Sequence, residues 1–326
     1  MEAVKMESKA YEYMDWPRIE AIVYGEEASP KDVMAPRLTT DGVLVQGFFP
    51  EADKAEVLVG SRKYEMEKED EAGYFAAMIP GRKIPEYEYR VTRGEEVQEF
   101  SDPYAFAGQI TEAEEKAFCA GVYYHAYEKL GAHPMEINGV KGTSFAVWAP
   151  NAVRVSVVGN FNEWDGRRHA MHRMPMSGIF ELFIPGVKVG DIYKYELKLK
   201  GNRIELKSDP YAACTEVPPA GASVVADTGA FQWEDEEWMA GRKKFADRKQ
   251  PVSIYETSLT DWKDGEELVE FVKKLNYTHV ELHPVMEYLD DEAGEYSTFA
   301  YYAPTRRFGM PQDFQKTVNE LHKAGI

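Results

Sequence analysis

Two stretches of this chain, about 100 residues apart, share one pattern. "GVLVQGFFPEADKAEVLVG" (Gly42–Gly60) and "GTSFAVWAPNAVRVSVVG" (Gly142–Gly159) both alternate apolar and polar residues. Further matches follow in the same order: "GYFAAMIPG" at Gly73 with "GIFELFIPG" at Gly178, "EYEYRV" at Glu86 with "IYKYEL" at Ile192, and "SDPYA" at Ser101 and Ser208. The offset grows from 100 to 105 to 107, as small insertions would cause. An ordered series of this kind predicts two copies of one folding unit.

Each copy consists of short alternating segments that are separated by glycine and proline turns. This pattern is typical of an all-β sandwich, in which each strand turns one face toward the core. We therefore predict two tandem immunoglobulin-like β-sandwiches, the first over residues 1–115 and the second over residues 116–225.

The pattern changes from about Ser253. "SIYETSL" is a short apolar strand, and the next segment has helical spacing at Leu268, Phe271 and Val272. "THVELHPVM" predicts a second strand, and a second amphipathic helix is expected to begin near Pro311. Strand and helix in alternation indicate a parallel α/β sheet or barrel over residues 253–326, and the acidic residues 226–252 are predicted to form a linker.

The composition restricts the partners that this chain could bind. Its 326 residues carry a formal net charge of −18, which repels nucleic-acid phosphate and anionic lipid, so neither is an expected partner. No stretch approaches the roughly 20 apolar residues of a membrane span, and the opening "MEAVKMESKAYEYMDW" has no apolar core as a signal peptide would. Two cysteines cannot form a disulfide framework or a metal cluster. The chain is expected to be cytoplasmic, without metal or cofactor.

The two copies of the repeat differ in one loop. The second copy has "GNFNEWDGRRHAM" (Gly159–Met171) where the first has only "GSRKYEM" (Gly60–Met66). The additional residues include Asn160, Asn162 and Trp164, which combine an aromatic face with amide donors and acceptors, as a neutral polyhydroxyl ligand requires. These three residues are candidates for binding such a ligand, and internal packing of Trp164 is the alternative. Trp148, in a strand with Phe145 and Val147, is predicted to lie in the core.

Taken together, these motifs resemble the bacterial 1,4-α-glucan branching enzymes of glycogen synthesis, members of the α-amylase superfamily. "LGAH" (Leu130–His133) and Phe145–Met171 resemble the glycogen-binding sandwich of that family. "SIYETSLTDW" (Ser253–Trp262) and "YTHVELHPVMEY" (Tyr277–Tyr288) resemble its first and second barrel strands, and "YYAPTRRFGMPQDF" (Tyr301–Phe314) resembles the loop and helix that follow. The resemblance implies that residues 253–326 are the first two βα units of an incomplete (β/α)8 TIM barrel.

The resemblance also implies the chemistry. Branching enzymes cleave an α-1,4 glucan and transfer the segment to a 6-hydroxyl with retention, which requires a carboxylate nucleophile and a carboxylic acid about 5 Å apart. In the family these groups follow the fourth, fifth and seventh barrel strands. No catalytic residue is therefore expected in residues 1–326, and this chain alone is expected to be inactive. Gly325 is expected to cap the second barrel helix, and Ile326 to begin a third strand.

Further expectations concern binding residues and alternatives. The resemblance implies that Tyr296 stacks on a glucose unit, and Tyr302 is a second candidate for substrate binding, with structural packing as the alternative. Arg306 and Arg307 are expected to cap or salt-bridge their loop. The expected partner is α-glucan, and the complete enzyme is expected to be a monomer. Two alternatives stay open: a non-catalytic glucan-binding protein, and a debranching or trehalose-forming relative in the same superfamily.

Overall fold

The computed structural model describes residues 9–243 and 250–326 of the chain. They form two compact units, which divide the chain between Lys207 and Ser208. Residues 1–8, on which the expectation of no signal peptide partly depends, lie outside the described residues. In the described part, no helix is both long and apolar enough to cross a membrane.

The first copy of the repeat forms two four-stranded antiparallel sheets. Their strands are β1 (Arg37–Leu38), β2 (Val43–Phe48), β3 (Lys54–Val59), β4 (Arg62–Glu65), β5 (Glu67–Asp70), β6 (Tyr74–Ile79), β7 (Glu88–Arg93) and β8 (Glu96–Ser101). The strand orders are β1-β2-β6-β5 and β4-β3-β7-β8. Val45 and Phe75 from the first sheet share one buried cluster with Val57 and Tyr89 from the second. The two sheets therefore pack face to face as a sandwich.

The second copy forms a four-stranded sheet and a three-stranded sheet. Its strands are β9 (Gly131–Ile137), β10 (Val140–Trp148), β11 (Arg154–Gly159), β12 (His172–Arg173), β13 (Ile179–Pro185), β14 (Ile192–Leu199) and β15 (Arg203–Lys207). The strand orders are β12-β13-β10-β9 and β11-β14-β15. Phe145 on β10 meets Tyr193 on β14 edge to face, with ring centroids 4.9 Å apart. This contact joins the two sheets across the core.

The pairing registers confirm the internal repeat. Val43 pairs with Ile79 between β2 and β6. Thr143 lies 100 residues after Val43, Ile184 lies 105 residues after Ile79, and these two residues pair between β10 and β13. Both offsets equal those read from the sequence, so the insertions fall between the strands and leave the ladder intact.

The first unit also contains short helices. They are α1 (Trp16–Val23), α2 (Lys31–Met34) and α3 (Glu112–Cys119). The best-defined start is that of α3, where the Thr111 hydroxyl accepts a hydrogen bond from the Glu114 N–H and the Glu114 carboxylate accepts one from the Thr111 N–H. This reciprocal pair satisfies two donors that a helix leaves without partners at its N-terminus.

The second unit contains both α/β and antiparallel elements. They are β16 (Ser223–Val224), α4 (Glu236–Gly241), β17 (Ile254–Thr257), α5 (Gly265–Lys274), β18 (His279–Leu282), β19 (Met286–Tyr288), β20 (Thr298–Pro304) and α6 (Pro311–Lys323). β17 and β18 pair in parallel and are connected through α5, whereas β19 and β20 form an antiparallel pair. The predicted strand–helix–strand–helix order is therefore present. The predicted linker contains the helix α4.

Helix α6 begins at Pro311, as predicted, and ends in the predicted glycine cap. Gly325 has φ +79°, a left-handed conformation that glycine adopts without steric cost. The Gly325 N–H donates to the His322 carbonyl at 2.9 Å, and the Ile326 N–H donates to the Leu321 carbonyl at 2.9 Å. These bonds satisfy carbonyl groups that the last turn of a helix leaves free.

Candidate functional site

The loop that distinguishes the second sandwich from the first follows β11. It opens with a 3-10 turn over Asn160–Asn162 and continues through Trp164. Both Glu163, with φ +58°, and Trp164, with φ +61°, adopt the left-handed conformation. Each such non-glycine residue costs on the order of 1 kcal/mol, so the surrounding contacts must hold this loop in place.

Asn162 supplies part of that support. Its side chain is buried, its Oδ1 accepts from the Gly159 N–H at 2.9 Å, and its Nδ2 donates to the Val157 carbonyl at 2.8 Å. Nδ2 also lies 2.9 Å from Nδ1 of His169, whose pKa burial lowers to about 4. The Asn162 amide is thus engaged with the chain and not presented at the outer surface of the loop, and its assignment to substrate binding stays a prediction.

Asn160 and Trp164 lie together at the surface of the same loop. The Trp164 indole Nε1 donates to Asn160 Oδ1 at 2.8 Å, which fixes the ring plane against the turn. Asn160 is exposed and Trp164 is half-buried. Because the indole N–H is satisfied within the protein, ring stacking is the interaction that Trp164 offers to a ligand. Its assignment to substrate binding stays a prediction.

Arg154 anchors the far end of this loop, a role that the sequence did not reveal. The guanidinium is buried, donates to Ser156 Oγ at 2.8 Å, and also bonds the Gly166 carbonyl and the Glu196 carboxylate. A Cβ on Gly166 would lie 2.0 Å from Glu196 Oε1, so a larger residue there would displace the Glu196 carboxylate from its present position. Sequence alone gives no means of pairing Arg154 with Glu196, which lies 42 residues later.

Trp148 does not lie in the core as predicted. Its side chain is 54% exposed, its Nε1 donates to the Ser177 carbonyl at 2.9 Å, and it meets Phe118 edge to face at 5.9 Å. Residues along a strand alternate between faces, so Trp148 lies opposite the buried Phe145 and Val147. That face is only partly covered at the end of β10, which is why the prediction was wrong.

In the second unit, the two predicted tyrosines are both exposed. Tyr296, in a 3-10 turn over Gly294–Ser297, is 92% exposed. Tyr302 on β20 is 51% exposed and stacks on Tyr211, with ring centroids 4.8 Å apart and an interplanar angle of 23°. Tyr211 belongs to the second "SDPYA" motif, so the repeat was a signal that could have found it. Whether these tyrosines contact glucan stays a prediction.

A buried carboxylate organises the loop after β20. Glu287 is fully buried and accepts hydrogen bonds from the Arg306 N–H at 2.7 Å and from Arg307 at 2.6 Å. The Arg307 guanidinium also lies 4.0 Å from the Tyr288 ring centroid. The expectation that these arginines cap or salt-bridge their loop is confirmed for Arg307, which pairs with Glu287 and Asp291. Arg306 bonds Glu287 through its backbone N–H. Among residues 9–243 and 250–326, no group of three or more His, Cys, Asp or Glu side chains is placed to hold a metal ion.

Family models match both halves of the first unit. Residues 15–104 match the N-terminal domain of the alpha-1,4-glucan branching enzyme GlgB, and residues 129–212 match carbohydrate-binding module 48, the isoamylase N-terminal domain. The two matches cover the first sandwich and the second sandwich. The loop Gly159–Met171, hereafter the Trp164 loop, lies within the second match.

Curated relatives extend the similarity over nearly the whole chain. A 1,4-alpha-glucan branching enzyme GlgB from Cereibacter sphaeroides is 41% identical, and the match covers 98% of this chain and 45% of the relative. Another from Cellvibrio japonicus is 39% identical, and the match covers 89% of this chain and 42% of the relative. A crystal structure of pullulanase type I from Bacillus subtilis with maltose has a TM-score of 0.46 at 19% identity, covering 90% of this chain and 46% of that one. The chain thus spans less than half the length of the relatives that it matches.

Proposed function

The chain belongs to the 1,4-alpha-glucan branching enzyme family, and from that membership we propose that it is the glucan-binding part and the first barrel part of such an enzyme. The proposed reaction cleaves an α-1,4 glucan and transfers the segment to a 6-hydroxyl, forming an α-1,6 branch. The relatives contain more than half of their sequence outside the matched region. We assign the carboxylates that break and form the glycosidic bonds to that region.

The glucan-binding proposal rests on the structure of the Trp164 loop. An indole ring lies at the surface of a domain that matches a carbohydrate-binding module, held by the 2.8 Å bond to Asn160 and by the buried Asn162 beneath it. A pyranose presents an apolar C–H face, which stacks on such a ring. Because the ring is positioned before the ligand arrives, little conformational freedom is lost on binding.

Replacing Trp164 tests this proposal. We expect Trp164→Ala to weaken binding to glycogen about tenfold, since one lost stacking contact of about 1.4 kcal/mol corresponds to that factor. Co-sedimentation of the protein with glycogen at increasing polysaccharide concentration measures the change. Trp148→Ala is the matched control, because it removes the other indole exposed on the same sandwich and leaves the loop intact. Equal binding by the Trp164→Ala variant and the unmodified protein would reject the site.

For the second unit we propose the first two βα units of a (β/α)8 barrel. The parallel pairing of β17 and β18 through α5 supports it, as does the close packing of the helices, where a Cβ on Gly265 would lie 2.8 Å from Thr317 Oγ1. Ile254 at the start of β17 is 55% exposed. Parallel sheets are normally covered on both faces, so this exposure favours further strands and helices around the pair.

The remaining proposals follow from this assignment. We place Tyr296 and Tyr302 on the substrate side of the barrel, and we propose domain boundaries near residues 115, 225 and 252. We also propose a cytoplasmic location and a monomeric complete enzyme. A debranching or trehalose-forming relative is less favoured, because residues 15–104 match the branching-enzyme N-terminal domain.

A further inference from the structure

A cavity of about 390 Å³ lies between the two sandwiches of the first unit. The first sandwich contributes residues from β2, β7 and β8 to its wall, and the second contributes the Trp164 loop region and the end of β13. The volume falls within the range of about 300–1,000 Å³ that small-molecule sites occupy. The surface site proposed at Trp164 does not use this space.

The wall of this cavity, hereafter the inter-sandwich cavity, combines aromatic rings with hydrogen-bond donors. Phe100 and Phe161 are half-buried and border the cavity from opposite sandwiches. Arg93 contacts Gln98 Oε1 at 3.3 Å, at the long end of hydrogen bonding, and Arg168 binds Glu163 at 2.9 Å. Within the described residues, the buried Arg168 Nε makes no hydrogen bond, and its ion-pair partner Asp165 Oδ2 lies 3.7 Å away. A ligand hydroxyl would satisfy this donor.

The charges on the wall are balanced. Arg93 and Arg168 face the same cavity as Asp102 and Glu99. Asp102 is buried and accepts hydrogen bonds from the hydroxyl groups of Tyr87 at 2.5 Å and Tyr89 at 3.1 Å. Burial raises the pKa of this carboxyl to about 6, so it is ionised for the most part at neutral pH. Two cations with two carboxylates favour a neutral ligand over an anion, which would need an excess of positive charge.

We propose that the inter-sandwich cavity binds the end of a short α-1,4-glucan, one or two glucose units long. The inference rests on the proposed function for the class of ligand. The aromatic rings stack on the apolar faces of a pyranose, and the arginine and glutamine side chains form hydrogen bonds with its hydroxyl groups. Since both sandwiches form the wall, an occupied cavity holds the two sandwiches together, which the surface site at Trp164 alone does not do.

Filling the cavity with a side chain tests the proposal. In a Trp164→Ala background, which removes the surface site, we expect Gln98→Trp to weaken maltose binding at least tenfold in isothermal titration calorimetry. Val97→Trp is the matched control, because it adds the same ring on the same strand at an exposed residue outside the cavity wall. That variant is expected to bind maltose as the background protein does.

Several results would overturn the inference. Unchanged maltose binding in the Gln98→Trp protein would do so, as would inorganic phosphate that binds more tightly than maltose and competes with it. If circular dichroism shows that Gln98→Trp does not fold, Arg168→Met is measured in its place, with at least a tenfold loss again expected. If the cavity variants bind normally while Trp164→Ala still weakens glycogen binding, this inference fails and the proposed function stands. If the unmodified protein binds no glycogen, both fail.

Discussion

Glu287→Ala is expected to lower the free energy of unfolding of the second unit by about 3–5 kcal/mol. The carboxylate is fully buried, and its removal leaves the Arg307 guanidinium, with 16% of its side chain exposed, without its buried partner. The Thr305 hydroxyl, which donates to Glu287 at 3.1 Å, and the Arg306 N–H, which donates at 2.7 Å, lose their acceptor as well. The loss is measured by urea denaturation, with hydrogen exchange in β20 and α6 as the probe of unfolding.

Asp291→Ala is the matched control for this prediction. Asp291 binds the same guanidinium at 2.7 Å, but its side chain is 80% exposed. Exposed ion pairs contribute roughly 0–1 kcal/mol, so this variant is expected to stay within that range. Equal losses of stability in the two variants would mean that the buried carboxylate does not organise the loop.

Arg154→Met is expected to destabilise the first unit by a similar amount, about 3–5 kcal/mol. The variant leaves Glu196, with 15% of its side chain exposed, without a cation and removes the donor to the Gly166 carbonyl. Because Gly166 lies in the Trp164 loop, faster hydrogen exchange in residues 159–168 should accompany the loss. Thermal and urea unfolding of the intact 326-residue chain give the stability change.

Two further variants separate the buried pair from a general effect of losing an arginine. Arg203→Met removes a side chain that is 68% exposed and binds Glu205 at 2.9 Å, and a loss of at most about 1 kcal/mol is expected. Arg154→Met combined with Glu196→Leu removes both buried charges and should recover part of the loss. If the double variant loses as much free energy of unfolding as the Arg154→Met and Glu196→Leu variants lose together, the two residues are not directly coupled.

The repeat and the strand–helix alternation were predictable because they depend on local periodicity. The offsets of 100 and 105 residues reappear in the pairing registers, since strand pairing in a sandwich follows the apolar alternation. Trp148 was predicted wrongly because alternation separates two faces but does not say how far each face is covered. Its burial depends on what lies opposite the end of β10.

The candidate site was predictable only in part. The extra loop identified Trp164 and Asn160 as surface neighbours, but the engagement of Asn162 beneath them depends on the turn geometry. The ion pairs Arg154–Glu196 and Arg307–Glu287 join residues that are distant in sequence, and a single sequence does not indicate which charges meet. The inter-sandwich cavity arises from the contact between two folded copies, so no local pattern encodes it.

We propose that these 326 residues contain a binding site for α-1,4-glucan. Native gel electrophoresis in the presence and absence of glycogen tests this claim. The protein is predicted to migrate more slowly as the glycogen concentration rises, and added maltoheptaose is predicted to restore its mobility. Equal mobility with and without glycogen, for a protein shown to be folded, would contradict the claim.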